Sequence, residues 1–436
     1  MNYTEVTEYV ESLQGLGIVP GLSNITNLCE KLGNPQKELS FVHIAGTNGK
    51  GSVLAFVSTI LKTAGYKTGR YISPTIFEYR ERIQINGRMI SKADLCRLME
   101  TVKNACDALV QEGAPHPTPF EVETALAFLY FKEKNCDIVV LETGMGGAED
   151  ATNLIENTLV CALVSISLDH MGILGDTLKK IATQKAGIIK NGCHVVSAPQ
   201  DKEAARVIEE KCREKKAYLT FVDLNGLKKK KSTLSKQCFS YGTYKDLEIS
   251  LIGRYQTENA AIAVEVIQAL AKKGYQVSEK ALRKGFLETQ WPGRFDLLLK
   301  KPIFIADGAH NRDGAKRLAE CIEFYFTNRR IIYIMGMLRD KEQEEVIQAT
   351  YPFASQILTV PTKGGRGTSS YELAQKVQQY HENVTALDSV EEAVELSLLM
   401  ADKDTVIIAF GSLSFLGQLM TVVKNRSEIR SDSHGK

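Results

Sequence analysis

The apolar run Phe41-Val-His-Ile-Ala45 passes straight into Gly46-Thr47-Asn48-Gly49-Lys50-Gly51-Ser52, and helical spacing follows from Val53 to Leu61. No other segment constrains the fold as much. A buried strand, a glycine-dense turn and a helix aim several backbone N–H groups and a helix N-terminus at one point, which suits an anion. Lys50 adds a positive charge within reach of outer phosphates, and the Ser52 hydroxyl is a ligand type that magnesium takes. The common G-x-x-x-x-G-K-[ST] pattern is not met strictly, because Ile44 stands at its first glycine and Gly51 separates Lys50 from Ser52. A glycine turn without a ligand would explain Gly46 and Gly49 but leave the lysine and serine to chance. Gly46, Thr47, Asn48, Gly49, Lys50, Gly51 and Ser52 are therefore read as a nucleotide-phosphate loop.

Further apolar runs at 137–141, 158–166 and 194–197 are each followed by a Gly-rich turn or an amphipathic segment. Strands separated by crossover helices predict an α/β domain whose mostly parallel sheet is covered on both faces. Between 228 and 252 four lysines precede alternating residues, which predicts an antiparallel ribbon with a solvated basic turn. Helices are expected over 257–272 and 278–287, before Trp291-Pro292-Gly293 interrupts regular structure. Strands at 303–306, 331–335, 356–360 and 405–410, with helices between them, predict a second, smaller Rossmann-like α/β domain. The expected organisation is a P-loop domain over residues 1–293, a Rossmann-like domain over 294–424 and a flexible tail over 425–436.

A chain of 436 residues can bury two separate cores. Its 54 Lys and Arg against 52 Asp and Glu leave a net charge of +2, too even for non-specific nucleic-acid binding. Nine scattered cysteines without a C-x-x-C pair point to reduced thiols and a cytoplasmic protein. The first residues lack a signal-peptide pattern, and no run approaches the length of a membrane span. The expected partners are small molecules, with no nucleic acid and no membrane.

Other candidate residues follow from position. Glu142 closes the 137–141 run, so it lies at the carboxyl end of a buried strand, beside the crevice where open α/β sheets bind ligands. A helix cap or a surface charge would also use a glutamate there, but the upstream loop favours a metal role. His170 follows Asp169 just past another strand; a lone histidine is often structural, and imidazole is not magnesium's preferred ligand. By spacing alone Lys185 is an ordinary helix lysine, Phe120 a core aromatic, Arg294 a surface cation and Asp307 a helix cap.

The loop and a series of further strings together resemble the folate branch of the Mur ligase superfamily, the folylpolyglutamate synthase and dihydrofolate synthase family. The strings are Tyr71-Ile-Ser73-Pro74, Glu81-Arg-Ile-Gln-Ile-Asn86-Gly87, Phe120-Glu121, Leu141-Glu-Thr-Gly-Met-Gly-Gly147, Asp150-Ala-Thr-Asn153, Asp169-His170, Lys185-Ala-Gly187, Pro292-Gly-Arg-Phe-Asp296 and Asp307-Gly-Ala-His-Asn311. The resemblance implies an ATP-dependent, amide-forming ligase that adds L-glutamate to a folate, and in bifunctional members also to 7,8-dihydropteroate, through an acyl phosphate. It implies that Ser52, Ser73, Glu142 and His170 arrange magnesium, and that Lys50, His170, Lys185 and Arg294 serve catalysis, with Lys185 carbamylated. ATP would be held by the loop together with Asn259, Arg294, Asp307 and His310. The acceptor would meet Ser73, Pro74, Phe120, Asp150 and Ala151, and the enzyme would act as a monomer. The sequence departs from the family at Gln184, where Glu is usual, at Ala148, where Arg is usual, and at Ser414, where an aromatic is common. Two rival readings are a Mur-type ligase extending a UDP-muropeptide, disfavoured because no extra UDP-binding domain precedes the loop, and an ATP-driven switch without amide chemistry.

Overall fold

The computed structural model describes every residue except Ile18, His170, Lys363 and 434–436, and of residues 427–433 it describes only the backbone. The chain forms two compact units, one comprising Met1–Lys228, Tyr241–Leu247 and Glu258–Thr289, the other Lys229–Ser240, Glu248–Thr257 and Gln290–Lys436. The main break lies between Thr289 and Gln290, just ahead of Trp291-Pro292-Gly293. Two short upstream segments also belong to the second unit, which periodicity has no means of revealing.

The first unit is built on an eight-stranded sheet: β1 Phe41–Ala45, β2 Thr68–Tyr71, β3 Ile83–Ile85, β4 Arg88–Met89, β5 Ile138–Glu142, β6 Thr158–Leu163, β7 His194–Ser197 and β8 Tyr218–Phe221. Their order is β4-β3-β2-β5-β1-β6-β7-β8. All neighbours from β2 to β8 run parallel, while β3 and β4 add an antiparallel edge. All five residues of β1 are buried, as a central strand covered on both faces requires. Because β1 sits between β5 and β6, the chain leaves it toward one side of the sheet and later returns on the other, which opens a crevice at its carboxyl end.

Helices Lys92–Gln111 and Pro119–Glu133 share a core with this sheet, through Leu95, Met99, Val122 and Phe128 against Phe41 and Val139. The second of them starts where it does because Thr118 caps it, Glu121 completes the capping box and Pro119 occupies its first turn. Helix Lys50–Thr63 packs on Glu279–Glu288, where Phe56 and Phe286 meet edge-on at 5.2 Å. Helices Leu178–Ala186 and Lys202–Glu214 complete a further core with Cys161, Leu163 and Val195.

A small sheet follows, β9 Lys228–Ser232, β10 Gln237–Tyr241 and β11 Tyr244–Ile249, in the order β11-β10-β9. Its short turns suit only antiparallel neighbours. The expected ribbon is therefore present, but Lys228 to Lys231 form the exposed edge strand itself rather than its turn, a place where lysines block edge pairing.

The second unit carries β12 Asp296–Lys300, β13 Ile303–Asp307, β14 Arg330–Gly336, β15 Gln356–Thr359, β16 Val384–Ala386 and β17 Thr405–Gly411, in the order β12-β13-β17-β14-β15-β16. Only β12 is antiparallel to its neighbour. Both units are thus α/β with mostly parallel sheets, as expected. Within the tail expected over 425–436, residues 434–436 lie outside the described residues, and helix Leu413–Ser433 continues through 425–433. That stretch contains neither Gly nor Pro to stop it, and Arg426 pairs with Glu395.

Candidate functional site

The phosphate loop leaves β1 at the sheet crevice and is stitched to the segment after β6. Thr47 N–H donates to the Ser165 carbonyl at 2.7 Å, and Ser167 N–H donates to Thr47 Oγ1 at 3.0 Å. Thr47 Oγ1 in turn donates to the Ser167 carbonyl at 3.1 Å, and Ser165 Oγ to the Asn48 carbonyl at 3.0 Å. Gly46 has φ +149°, and a Cβ there would sit 2.2 Å from Val164 Cγ2, so no side chain fits. Gly49 has φ +99°, and its Cβ would lie 2.7 Å from Asn259 Oδ1. Asn259, expected near the nucleotide, is thereby brought against the loop.

Helix Lys50–Thr63 begins at Gly49 with no side-chain cap and no acidic residue in its first turn. Its first N–H groups lack the usual side-chain acceptor, and the positive end of its dipole carries no counter-charge, the condition for anion binding. Lys50 Nζ folds back to donate to the carbonyls of Gly46 at 3.1 Å and Thr47 at 3.2 Å. Lys185 Nζ, 139 positions away in sequence, donates to the same Gly46 carbonyl at 2.9 Å. Two amines therefore converge on one carbonyl. Lys185 is 3% exposed. Burial, then the neighbouring Lys50 charge, lower its pKa from 10.5 to about 7, against the opposing pull of Asp169 and Asp150. The neutral amine is therefore accessible near neutral pH, far below the usual lysine range.

The sheet order collects the remaining groups of the first unit. Glu142 ends β5 directly beside β1, in register with Ile44, and is buried. Ser73 and Pro74 follow β2, the next strand over, at the start of a loop that Glu81 ties down. The Glu81 carboxylate accepts from the backbone N–H groups of Ile76 at 2.8 Å, Phe77 at 3.0 Å and Glu78 at 3.0 Å. Ser52 is buried within the first turn of its helix. His170 lies outside the described residues. Among the described residues no group of three His, Cys, Asp or Glu side chains could hold a metal. Ser52, Ser73 and Glu142 offer hydroxyl and carboxylate oxygens, the hard donors that magnesium takes.

Phe120 projects from the first turn of its helix over Gly144, where an added Cβ would lie 2.6 Å from Phe120 Cζ, and its ring centroid is 5.9 Å from that of Tyr71. Phe120 is half-buried, so part of the residue stays accessible. Asp150 is buried, and its oxygens are engaged from within its own loop. Oδ2 accepts from Met145 N–H at 2.7 Å, and Oδ1 accepts from Thr152 N–H at 3.0 Å and from Thr152 Oγ1 at 2.5 Å. His43 Nε2 lies 2.9 Å behind that hydroxyl. Since Thr152 Oγ1 donates to Asp150, the imidazole must donate to Thr152. Burial keeps His43 neutral by lowering its pKa to about 3. Ala151 is buried in the turn that Asp150 caps.

In the second unit, Asp307 closes β13 and is 5% exposed. Burial raises its pKa, while Arg294 is the main influence opposing that rise. Arg294 covers Gly308 closely: a Cβ at Gly308 would fall 2.0 Å from Arg294 Nη1. His310 Nδ1 donates to the Gly308 carbonyl at 2.7 Å, so Nδ1 carries the proton. Three participants escaped sequence reasoning: Thr152 and His43 behind Asp150, and Tyr255, whose hydroxyl donates to Asp307 at 3.2 Å. His43 and Tyr255 meet their partners only through the fold, whereas Thr152 lies two residues from Asp150, inside the Asp150-Ala-Thr-Asn153 string.

Comparison with known proteins adds the following. Residues 44–267 match the Mur ligase middle domain, and residues 293–413 match the glutamate ligase domain of Mur ligases. A dihydrofolate synthase/folylpolyglutamate synthase of Bacillus subtilis is 38% identical over 362 residues, covering 81% of this chain and 84% of the relative. A folylpolyglutamate synthase of Lacticaseibacillus casei is 35% identical over 371 residues, covering 84% and 86%. Among solved structures, Mycobacterium tuberculosis folylpolyglutamate synthase complexed with ADP matches with a TM-score of 0.90 at 28% identity over 97% of this chain and 99% of that one. Escherichia coli FolC in complex with DHPP and ADP matches with a TM-score of 0.85 at 28% identity over 97% and 98%.

Proposed function

The chain belongs to the folylpolyglutamate synthase/dihydrofolate synthase family of Mur ligases, and on that premise we propose how its residues join L-glutamate to a folate. It is an ATP-dependent, amide-forming ligase. The relatives that carry an activity in their names act on folates, so neither the UDP-muropeptide reading nor the switch reading is retained. The observation that carries the assignment is the convergence of Lys50 and Lys185 on the Gly46 carbonyl, beside an uncapped helix N-terminus, at the carboxyl end of β1.

In this reading the loop N–H groups and Lys50 grip the ATP phosphates. A folate carboxylate attacks the γ-phosphorus, the bond to ADP breaks, and an acyl phosphate forms. The amine of L-glutamate then attacks the acyl carbon, and phosphate leaves as the amide forms. Lys50 and Arg294 are assigned to offset the charge on the transferring phosphoryl group, and holding carboxylate and amine in reacting geometry lowers the barrier by proximity. Ser52, Ser73, Glu142 and His170 would hold magnesium, which supplies charge neutralisation to the triphosphate. Asn259, Asp307 and His310 are assigned to the nucleoside. Phe120 offers the pterin a stacking face, and Ser73, Pro74, Asp150 and Ala151 shape the acceptor's walls.

Lys185 is assigned as the carbamylated residue. Its neutral amine would bond to carbon dioxide and lose a proton, turning a cation beside Lys50 into an anion. The lowered pKa supports this, because only the neutral amine is nucleophilic. A second acceptor, 7,8-dihydropteroate, is favoured by the double name of the Bacillus relative and by the DHPP in the Escherichia structure. We read the enzyme as a cytoplasmic monomer acting on small molecules. Nine free cysteines support the compartment, and no helix among the described residues is long and apolar enough to cross a membrane. The deciding experiment supplies purified protein with ATP, magnesium and labelled glutamate, with 7,8-dihydropteroate in one tube and tetrahydrofolate in another. Incorporation in both is expected. Incorporation in neither overturns the assignment, and incorporation with tetrahydrofolate alone removes the second acceptor.

A further inference from the structure

Asp307 is held by three donors, and they divide unevenly between its two oxygens. Oδ2 accepts from Phe295 N–H at 2.7 Å and from the Tyr255 hydroxyl at 3.2 Å, while Oδ1 accepts from Ala309 N–H at 2.9 Å. A carboxylate oxygen has two lone pairs, so Oδ2 is saturated and Oδ1 keeps one acceptor position. Tyr255 is itself fixed. It follows a turn in which Gly253 takes φ +102°, and Gln237 Nε2 pins that turn by donating to the carbonyls of Leu251 at 2.8 Å and Gly253 at 2.9 Å. Burial, followed by the Asp307 charge, pushes the Tyr255 phenol well up, so it stays a donor. The oxygen it holds also binds the peptide N–H next to Arg294, in a residue whose φ is +49°.

We propose that Tyr255 is a positioning residue for Asp307: by occupying Oδ2 it turns the single open position of Oδ1 toward one hydroxyl of the nucleotide ribose. The inference rests on the assignment of Asp307 to the nucleoside, and the test separates the two. Without the phenol, Oδ2 loses a donor and the carboxylate can rotate, so the enzyme should lose its grip on that hydroxyl rather than its fold. A residue that only packs would change stability and turnover while leaving discrimination between ribose and deoxyribose intact.

The experiment uses the full chain and measures the affinity of ADP, 2′-deoxy-ADP and 3′-deoxy-ADP by calorimetry for wild type, Tyr255→Phe and Asp307→Asn. Melting temperatures are recorded alongside, and kcat and KM for ATP are measured in the ligase assay. A hydrogen bond to a charged acceptor is worth about tenfold or more in affinity, so wild type should bind one deoxynucleotide at least about tenfold more weakly than ADP. Tyr255→Phe should narrow that ratio to about threefold or less and raise the KM for ATP several-fold, with kcat within about twofold. Tyr255→Phe with wild-type discrimination, or with all three nucleotides weakened in equal proportion, overturns the positioning role. Asp307→Asn with wild-type discrimination overturns the ribose assignment beneath it.

Discussion

Replacing Lys185 with methionine removes a buried amine while keeping most of the side chain's volume, and the outcome should depend on pH in a calculable way. In the unfolded chain this lysine titrates near 10.5, whereas in the fold burial and the Lys50 charge bring it to about 7. Between those values the folded protein binds fewer protons than the unfolded chain, so wild-type stability rises with pH by up to about 1.4 kcal/mol per pH unit. The contribution is fully present above pH 10.5 and is lost as pH falls, reaching a constant penalty of about 5 kcal/mol below pH 7. The Lys185→Met variant lacks this dependence. Its stability relative to wild type should therefore be highest near pH 6 and decline steadily between pH 7 and 9. Urea unfolding of both proteins at pH 6, 7, 8 and 9, in buffer stripped of carbon dioxide, reads the difference as a shift in midpoint. A difference that stays flat from pH 6 to 9 would mean that Lys185 keeps its proton in the fold, held by Asp169 or Asp150, and would refute the neutral-amine argument. Adding bicarbonate then tests carbamylation: a mass increase with labelled bicarbonate should occur in wild type and be absent from the variant.

Gly46→Ala forces a Cβ to within 2.2 Å of Val164 Cγ2, and should cost about 2–3 kcal/mol together with nucleotide affinity; an unchanged melting temperature and ADP affinity would contradict the loop geometry. Lys50→Ala and Glu142→Ala should each lower glutamate incorporation by about 100-fold or more with the circular dichroism spectrum unchanged, and near-normal turnover in either would overturn its assignment. Asp150→Asn places an amide among donors that need acceptors, so it should destabilise the protein by about 1–3 kcal/mol, measured by thermal melting; a neutral effect would mean the loop is not held as described. Phe120→Ala should raise the acceptor KM about tenfold with little change in kcat, and an unchanged KM would remove the pterin stacking role.

Much of the site was legible because its residues sit at strand ends, and strand ends are readable from runs of apolar residues. Gly46 to Ser52, Glu142 and Asp307 lie just past such a run, which in an open parallel sheet means beside the crevice, whereas Ser73 follows the polar strand Thr68-Gly-Arg-Tyr71 and was reached only through the family resemblance. Lys185 shows the opposite case. Its local pattern is that of any helix lysine, and only burial against the Gly46 carbonyl gives it an unusual amine. Asp150 was assigned to the acceptor by the resemblance alone, and its place as a loop cap whose oxygens are met by Met145 and Thr152 came from the structure. The lysines at 228–231 were misplaced as a turn because charge density alone does not distinguish an exposed edge strand from a loop.

The sequence by itself determined the strand–loop–helix unit, the two α/β sheets and the family, because turn chemistry and hydrophobic period are written in adjacent residues and survive without knowledge of the fold. Only the tertiary structure decided that β1 lies between β5 and β6, that Lys185 meets a carbonyl 139 positions away, and that Tyr255 reaches Asp307 across 52. Those pairings depend on how strands are ordered in a sheet and which side chains are buried together, quantities that no window of neighbouring residues contains.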